Sequence, residues 1–380
     1  MLSALVNGRV MTTGGLQRRL AVVIKGERIA AVCRDADIPA GAKRIDLEGQ
    51  LLLPGFIDTQ VNGGGGVLFN QTPTVEGIKA IGRAHRRFGT TGFLPTLISD
   101  DLAVIRAAIA AVDAAIAQKA PGVLGIHIEG PFLNATRKGI HDDSKFRPLD
   151  EEAFDILTAL KRGKTLVTLA PEKTDVEMIR RLAEAGVVVA AGHTNASYGV
   201  IRQALSSGLT GFTHLFNAMS PLTSRKPGVV GAALEDQSSW CGVIVDGRHV
   251  DPATLRIAFR CRPLDRFMLV TDAMPGVGSD QTSFDLQGRR IMVRDGACFD
   301  AEGTLAGSDL DMATAVRNAR DMVGLGLQDA ARMASSVPAA FLGLQNEYGS
   351  IAPGFRANLV AADERLVVSE IWIDGERLQS

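Results

Sequence analysis

Histidines and carboxylates recur at one kind of position in this sequence, the end of a short apolar run. Glu129 and His214 lie at the ends of such runs, and His193 and Asp272 each directly follow one. Five of the six histidines lie on or just after these runs. If the runs are parallel barrel strands, their carboxyl ends open on one face, where active sites are built. Imidazole and carboxylate groups that converge there predict a metal site with nitrogen and oxygen ligands.

Each of these residues also has a structural interpretation. A lone histidine or aspartate at a strand end is often a hydrogen-bonded structural residue. Several such groups buried separately without a ligand would be costly, so the combination favours a site. His85 lies inside a helical pattern, away from any strand end, and we interpret it as structural. His127 shares a strand face with Glu129, so it is either interior packing or a support for a ligand.

The segments that must position these residues alternate between strand and helix patterns, which indicates a parallel sheet. The strand candidates are Phe56–Val61, Gly92–Ile98, Val123–Glu129, Thr165–Leu169, Val187–Gly192, Gly211–Phe216, Gly242–Asp246 and Phe267–Thr271. The helical patterns between and after them are Val75–Phe88, Leu102–Gln118, Glu151–Leu160, Thr174–Ala185, Gly199–Ser206, Asp251–Cys261, Met312–Met322 and Leu327–Leu342. Eight βα units over roughly 290 residues predict an α/β fold with a (β/α)8 TIM-like barrel.

A doubly wound sheet is the alternative fold. It would require a G-x-G-x-x-G motif that opens a helix after the first strand, and the sequence has none there. The glycine run at 63–66 has no helix directly behind it. The barrel therefore remains the main prediction.

The two ends of the chain resemble each other and differ from the middle. Both consist of short β-branched or alternating runs separated by glycine turns, which is typical of small β structure. We expect residues 1–54 and 350–380 to form one small β-sandwich domain from both termini. Residues 55–349 would form the barrel, with a β insertion at about 280–305.

The composition excludes several classes of protein. Of 380 residues, 46% are hydrophobic and 22% charged, with a formal net charge of −1, which argues against disorder and against a general nucleic-acid-binding surface. The longest apolar stretch, Leu102–Ala117, contains Arg106 and Asp113, so we expect no membrane partner. The start of the chain has no basic segment before its apolar run, so we expect a strand there and not a signal peptide. The four cysteines are widely spaced, as is typical of a cytoplasmic protein.

Segments throughout the chain resemble one known family. They are PGFIDTQVNGGGG (54–66), GTTGFLPTLIS (89–99), HIEGPFLN (127–134), KGIHD (138–142), AGHTNASY (191–198), FTHLFNAMSPL (212–222), RKPGVVG (225–231), VTDAM (270–274) and LAGSDLDM (305–312). They occur in the order typical of the N-acetylglucosamine-6-phosphate deacetylase family of the amidohydrolase superfamily. HIEGPF together with THLFNAM is a specific signal. The resemblance implies a barrel with a β-sandwich domain, as does the strand count.

The resemblance also implies a metal site. Its ligands would be Glu129, His193 and His214, with one divalent metal per chain. Zn²⁺ suits this set best, and Fe²⁺, Co²⁺ or Mn²⁺ are alternatives. Most superfamily members carry His-x-His at the end of the first strand for a second metal, where this chain has Gln60 and Asn62. Neutral amides are poor zinc ligands, so these two residues would be vestigial second-metal positions.

The catalytic residues implied by the resemblance are Asp272 and His141. Asp272 would be the general base on the attacking water and then the general acid to the leaving amine, because an amine anion leaves very poorly. His141, in KGIHD, would contact the substrate and help to stabilise the developing oxyanion.

A 6-phosphate on the substrate requires cationic groups and N–H donors. The resemblance implies that Asn217 and the backbone of Ala218 bind it, together with Arg225, whose guanidinium suits phosphate. His249 would reach across from the neighbouring subunit, which implies a homodimer. The plain alternative for Arg225 and His249 is an exposed surface charge.

The function expected from the resemblance is metal-dependent hydrolysis of the acetamide of N-acetylglucosamine 6-phosphate. The nearest alternative is the same reaction on N-acetylgalactosamine 6-phosphate. Another amidohydrolase activity is less favoured, because the His-x-His pair and a lysine positioned to bridge two metals are both missing. A catalytically inactive barrel that serves as a binding protein is also disfavoured, since the implied ligands and base are intact.

Overall fold

The computed structural model describes residues 2–378 of the chain. The chain starts with the strands β1 (Leu2–Thr12), β2 (Gly15–Lys25), β3 (Arg28–Arg34), β4 (Lys43–Asp46) and β5 (Leu51–Pro54). The first three pair in antiparallel order. Residues 3–6 of β1 then pair in parallel with β4, and residues 9–10 pair in parallel with β5. The sheet therefore forks at β1.

The barrel follows. Within residues 2–378, eight parallel strands lie side by side in the order in which they occur along the chain. They are β6 (Phe56–Val61), β9 (Thr90–Ile98), β10 (Gly125–Glu129), β11 (Lys164–Leu169), β12 (Val188–Ala191), β13 (Leu209–Phe212), β14 (Trp240–Val243) and β15 (Phe267–Leu269). A small hairpin, β7 (Gly63–Gly64) and β8 (Val67–Leu68), follows β6. A parallel bridge between Val61 and Ala273 joins the first and last strands, which nearly closes the ring.

Helices connect the barrel strands. They are α1 (Val75–Arg86), α2 (Leu102–Ala117), α3 (Glu151–Leu157), α4 (Val176–Glu184), α5 (Tyr198–Leu205), α6 (Gly228–Glu235) and α7 (Pro252–Cys261). Side chains of Thr74, Asp150 and Ser197 accept hydrogen bonds at the starts of α1, α3 and α5, which is why these helices begin there. The predicted (β/α)8 barrel is confirmed.

Helix α6 was missed by the sequence analysis. Its sequence, GVVGAALE, combines glycine and valine, which have low helix propensity. Its residues from Gly228 to Leu234 are buried against the barrel. Tertiary packing therefore stabilises a helix that local preference does not predict.

After the barrel, the chain forms a separate antiparallel sheet from β16 (Ser283–Leu286), β17 (Arg289–Arg294), β18 (Ala297–Phe299) and β19 (Leu305–Ser308). Helices α8 (Met312–Asp321), α9 (Leu327–Met333) and α10 (Ser336–Phe341) follow it. The prediction of one helix over 327–342 is wrong. Ser335, with φ −139° and ψ −79°, interrupts it, and Pro338 lies in the first turn of α10, where a missing N–H is tolerated.

The last strands, β20 (Leu359–Ala362), β21 (Val368–Ile373) and β22 (Glu376–Leu378), return to the sheet of the N-terminal strands. β20 pairs in antiparallel order with β5, so both ends of the chain form one continuous sheet. Leu5, Val22, Leu359 and Trp372 share its own buried core. The expected domain from both termini is therefore present as a forked sheet packed on that core.

The other face of this sheet joins the barrel. Met11, Leu51 and Leu53 belong to the same buried cluster as the barrel strands and their helices. No helix within residues 2–378 combines the length and the apolar character that a membrane crossing requires.

Candidate active site

Three side chains that could hold a metal meet at the carboxyl end of the barrel. Glu129 is the last residue of β10, and His193 and His214 follow the ends of β12 and β13. The Nε2 atoms of His193 and His214 lie 3.2 and 3.0 Å from Oε1 of Glu129 and 3.0 Å from each other. All three side chains are buried. In the described part of the chain, they form the one group of three or more His, Cys, Asp or Glu residues whose ligand atoms lie within 4.8 Å of one another.

The hydrogen bonds around this cluster fit a bound cation. Nδ1 of His193 lies 2.9 Å from the carbonyl oxygen of Arg137. A carbonyl only accepts, so Nδ1 carries a proton, and Nε2 is the nitrogen that can serve as a metal ligand. Burial tends to raise the pKa of Glu129, but hydrogen bonds and charge from His193 and His214 hold that pKa well below its ordinary value. A carboxylate and two imidazole Nε2 atoms that converge in this way suit a divalent cation between them.

The backbone at this end of the barrel is strained. His193, His214 and Asp272 have φ values of 47°, 33° and 53°, a region that residues other than glycine rarely adopt. Hydrogen bonds hold the turn at Asp272, whose N–H donates to Gln60 O over 3.0 Å and whose carbonyl accepts from Ser308 N over 2.9 Å. Strain of this kind clusters at functional sites. It therefore favours a functional role over a structural one for these residues.

Two amide side chains bring the carboxylates together. Nε2 of Gln60 lies 3.2 and 3.1 Å from the two carboxylate oxygens of Glu129 and 3.1 Å from Oδ1 of Asp272. Nδ2 of Asn62 lies 2.7 Å from the same oxygen of Asp272. At the positions where a second metal would require ligands, the chain thus presents N–H donors to two carboxylates. These amides support Glu129 and Asp272 without adding charge.

Asp272 lies beside the metal cluster, on the loop after β15. Its side chain is partly buried and faces both Gln60 and Asn62. Desolvation and the nearby Glu129 carboxylate raise the pKa of Asp272 to about 6. A carboxylate with a pKa this close to neutrality can both accept and return a proton.

His141 completes the group. It lies on the loop between β10 and α3 and is 2% exposed. Its ring centroid is 4.3 Å from that of His193. Burial and the nearby His193 hold the pKa of His141 well below its ordinary value, so the ring is neutral.

These residues line a cavity of about 170 Å³. Its walls include Glu129, His193, His214, Asp272, His141 and Asn62, together with three predicted substrate-binding residues, Asn217, Ala218 and His249. Asn217 is held by a 3.1 Å hydrogen bond from its amide to the carbonyl of His214. The loop after β13 therefore brings a predicted metal ligand and two predicted phosphate-binding residues to one cavity.

His249 lies at the cavity of its own chain, whereas the sequence led us to expect that it serves the neighbouring subunit. Its Nδ1 lies 2.6 Å from Oδ2 of Asp246, and its backbone N–H donates to Oδ1 of Asp246 over 2.9 Å. The His249 side chain is only 5% exposed. Asp246 thus holds the imidazole at the cavity of its own chain.

Arg225 is not among the residues that line this cavity. It is exposed and lines a neighbouring cavity of about 580 Å³, together with Arg137, Lys226 and the start of α5. That cavity is larger, but no histidine or acidic residue lines it, so it offers no metal-ligand cluster of the kind described above. The structure therefore separates Arg225 from the other residues predicted to bind phosphate.

The β insertion also contributes to the site, which the sequence analysis did not predict. Thr304, Leu305 and Gly307, at the start of β19 and within it, line the same cavity. Gly307 has a φ of 77°, and a Cβ there would lie 2.7 Å from Cγ of Met274, so only glycine fits. The sequence did contain a signal for this contribution, because LAGSDLDM (305–312) is one of the segments that resemble the family.

The other two histidines singled out in the sequence have internal partners. His85 is fully buried, and its Nε2 lies 2.8 Å from the carbonyl oxygen of Gly63. His127 lies inside the barrel, with its two ring nitrogens 3.3 and 2.8 Å from the hydroxyls of Thr96 and Thr168. Both therefore stabilise the interior and do not line the cavity.

Two family models match the chain. The amidohydrolase family model matches residues 51–378, and the model of the NagA composite domain matches residues 2–52. The boundary between the two matches falls at β5, where the N-terminal strands of the forked sheet end.

Individual relatives match over nearly the whole chain. The N-acetylgalactosamine-6-phosphate deacetylase of Shewanella sp. (strain ANA-3) is 42% identical over 97% of this chain and 94% of its own length. The N-acetylglucosamine-6-phosphate deacetylase of Haemophilus influenzae is 37% identical over 99% of both chains. The crystal structure of N-acetylglucosamine-6-phosphate deacetylase from Pasteurella multocida superposes with a TM-score of 0.97 at 36% identity, covering 100% of both chains.

Proposed function

The chain belongs to the amidohydrolase family, and we propose that it hydrolyses the acetamide of N-acetylglucosamine 6-phosphate to glucosamine 6-phosphate and acetate. The proposal rests on one observation above all. Glu129, His193 and His214 converge next to Asp272 in a cavity that Asn217, Ala218 and His249 also line. The names of the Haemophilus influenzae and Pasteurella multocida relatives supply the substrate.

We propose that Glu129, His193 and His214 hold one divalent metal, of which Zn²⁺ suits two imidazoles and a carboxylate best. The contact of His193 Nδ1 with the carbonyl of Arg137, which leaves Nε2 to face the cluster, supports this assignment. When bound, the metal would polarise the acetyl carbonyl and lower the pKa of the attacking water. Gln60 and Asn62 would hold the neighbouring carboxylates in place.

Asp272 carries the proton in the proposed reaction. Its carboxylate accepts a proton from the water that attacks the acetyl carbonyl carbon. The protonated Asp272 then gives that proton to the nitrogen as the C–N bond breaks, which yields the free amine and acetic acid. The acid retains the second proton of the water and loses it to solvent to become acetate. His141 borders the same cavity and is assigned to the carbonyl oxygen, where it would stabilise the developing negative charge.

The phosphate is assigned to the side of the cavity formed by Asn217, Ala218 and His249. An amide N–H, a backbone N–H and an imidazole are suitable donors for an anionic oxygen. The Asp246 carboxylate beside His249 orients the ring. Arg225 lies in the neighbouring cavity, so the proposal gives it no contact with the substrate of its own chain.

N-acetylgalactosamine 6-phosphate is the second candidate substrate. The observation that favours it is the Shewanella relative, which is 42% identical and is named for that sugar. The two sugars differ in the orientation of one hydroxyl, so the metal cluster, Asp272 and the phosphate donors would serve either one.

Acetate release by metal-quantified protein tests both candidates. The substrates are N-acetylglucosamine 6-phosphate, N-acetylgalactosamine 6-phosphate and unphosphorylated N-acetylglucosamine. We expect fast release from the first, slower release from the second and little from the third, with about one metal per chain. Faster release from the galactosamine sugar would replace the main proposal with the second candidate. No release from either phosphorylated sugar by metal-loaded protein would reject both.

We also propose that the chain forms a homodimer and works in the cytoplasm. All four cysteines are free within residues 2–378, which suits a reducing compartment. Sedimentation equilibrium at micromolar concentration tests the dimer, and a monomer under those conditions would contradict it.

A further inference from the structure

His141 has one ring nitrogen turned toward the protein. Nδ1 lies 2.8 Å from the hydroxyl oxygen of Ser99 and 3.3 Å from the backbone nitrogen of Ser99. Both residues are buried. Within residues 2–378, Nε2 of His141 has no hydrogen-bond partner, and the ring lines the cavity that holds the metal cluster. The two nitrogens therefore have different surroundings.

The backbone N–H of Ser99 decides where the proton of His141 lies. A backbone N–H only donates, so the nitrogen that it faces must accept with a lone pair. Nδ1 is therefore unprotonated, and the proton of the neutral ring is on Nε2. With Nδ1 as the acceptor, the Ser99 hydroxyl also donates to it, which adds a second preference for the same tautomer.

Ser99 itself is held by its neighbours. A Cβ on Gly130 would lie 2.3 Å from Oγ of Ser99, so only glycine at position 130 leaves room for this hydroxyl. Nε2 of Gln287, in the turn between β16 and β17, donates to the carbonyl of Ser99 over 2.7 Å. Oε1 of the same Gln287 accepts from the backbone N–H of Asp142 over 3.2 Å. Through these two hydrogen bonds, Gln287 of the β insertion connects the end of β9 to the loop that carries His141.

We infer that Ser99 is a positioning residue that keeps His141 in the tautomer with its proton on Nε2, so that the ring donates a hydrogen bond into the cavity. The inference rests on the proposed function for its consequence, since the recipient would be the oxygen of the acetyl group under attack. The opposite tautomer would turn a lone pair toward that oxygen and repel the developing charge. The hydrogen bond from a fixed donor strengthens as negative charge grows on the oxygen. The stabilisation is therefore largest in the transition state, and it raises kcat without changing KM.

The tautomer is directly measurable. Metal-loaded protein with ¹⁵N-labelled histidine reports the protonation of each ring nitrogen by NMR, and His141→Gln identifies the resonances of His141. We expect Nε2 to carry the proton and Nδ1 to be unprotonated. Protonation of Nδ1, alone or together with Nε2, would overturn the inference. The measurement needs no substrate, so its result is independent of whether the proposed reaction occurs.

Kinetics test whether Ser99 acts through His141. Ser99→Ala keeps the backbone donor and loses the hydroxyl donor, and we expect kcat to fall about 10-fold with little change in KM. In a His141→Gln background, the same substitution is expected to change kcat by less than about 2-fold, because its partner is already gone. Equal losses in both backgrounds would assign Ser99 a merely structural role and overturn the inference.

A matched control is Ser335→Ala. Ser335 is also a buried serine, and its hydroxyl donates to the carbonyl of Ala331 over 2.6 Å, away from the cavity. We expect its loss to affect stability alone. A wild-type protein that releases no acetate from either sugar phosphate would reject the proposed function, whereas the NMR result would still decide the tautomer.

Discussion

Asp272 combines three features that a proton carrier requires. It lies beside the metal cluster, its Oδ1 accepts from Gln60 and Asn62, and its pKa is raised to about 6. An asparagine has the same shape but cannot take up the proton of the attacking water. The roles of the ligands and of Asp272 are therefore separable by experiment.

The Asp272→Asn variant is expected to bind metal as the wild type does and to lose at least about 100-fold in kcat. Metal analysis and acetate release on the same preparation measure both quantities. Asp265→Asn is the matched control, because its side chain is 53% exposed and does not line the cavity. Wild-type turnover by Asp272→Asn would remove Asp272 from the proposed mechanism.

Asp58 is another buried carboxylate, on β6 inside the barrel. It accepts from the Thr271 hydroxyl over 2.5 Å and from the backbone N–H groups of Thr271 and Gln60 over 3.3 and 3.2 Å. Burial raises the pKa of Asp58 from 3.8 to about 7, despite these hydrogen bonds. Asp58 thus supports the turn that leads into Asp272.

The pKa of Asp58 predicts a pH dependence of stability. Between about pH 4 and pH 7, the folded chain holds a proton on Asp58 that the unfolded chain has lost. This contribution to the free energy of unfolding is present below pH 4 and is lost as the pH rises to 7, at up to about 1.4 kcal/mol per pH unit. Asp58→Asn removes the titration and keeps the acceptor oxygen.

We therefore expect Asp58→Asn to gain stability relative to the wild type as the pH rises from 5 to 7. Urea unfolding of both proteins at the two pH values measures the difference. Asp265→Asn again serves as the control for a carboxylate-to-amide change at an exposed position. Parallel pH dependence of the wild type and Asp58→Asn would refute the assignment.

At the scale of elements, the turn after β11 holds the loop after β12 in place by hydrogen bonds. The carboxylate of Glu172 accepts from the backbone N–H of Asn195 over 2.6 Å, from the Thr194 hydroxyl over 2.5 Å and from the Asn134 amide over 2.8 Å. Asn134 in turn donates its backbone N–H to the carbonyl of His193 over 3.0 Å. One acidic side chain thus holds the loop on which His193 sits.

Glu172→Ala is expected to weaken metal binding by 10-fold or more, because partners that orient a ligand contribute to affinity on this scale. Competition with a chelator of known zinc affinity measures the effect. Lys173→Ala, an exposed residue of the same turn, is the control and should bind metal as the wild type does. Unchanged affinity in Glu172→Ala would show that the strand ends position His193 without this turn.

At the scale of the whole molecule, the terminal sheet and the barrel share one core. Met11 and Leu53 of the terminal sheet pack in the same buried cluster as the barrel residues. The backbone N–H of Gly55 donates to the carbonyl of Asn358 over 2.8 Å, and β5 pairs with β20. Two parts joined in this way are expected to unfold together.

The two tryptophans of the chain report on the two parts separately. Trp372 is buried in the core of the terminal sheet, and Trp240 lies on β14 of the barrel. Fluorescence of Trp240→Phe follows the terminal sheet, and fluorescence of Trp372→Phe follows the barrel. For each variant, we expect the fluorescence transition in denaturant to have the same midpoint as the transition followed by circular dichroism. Two separate transitions would show that the parts are independent domains.

Local sequence determined the order of the elements and the residue types at the strand ends. Strand and helix periods are local, so the barrel could be predicted from alternation alone, and the motifs placed Glu129, His193, His214 and Asp272 at strand ends. These four residues span 129 to 272 in the chain, and the parallel barrel brings such distant strand ends to one face. Helix α6 was not predicted, because burial and not helix propensity stabilises it.

Tertiary structure alone decided which side chains touch. From the sequence, Gln60 and Asn62 are interpreted as vestigial second-metal positions. In the structure, their amides donate hydrogen bonds to the carboxylates of Glu129 and Asp272. His249 lines the cavity of its own chain, and no local pattern shows that Asp246 turns its ring inward. The contact of Ser99 with His141 joins residues 42 positions apart. Such contacts depend on distances of a few ångströms between separate loops, which residue types and spacing do not encode.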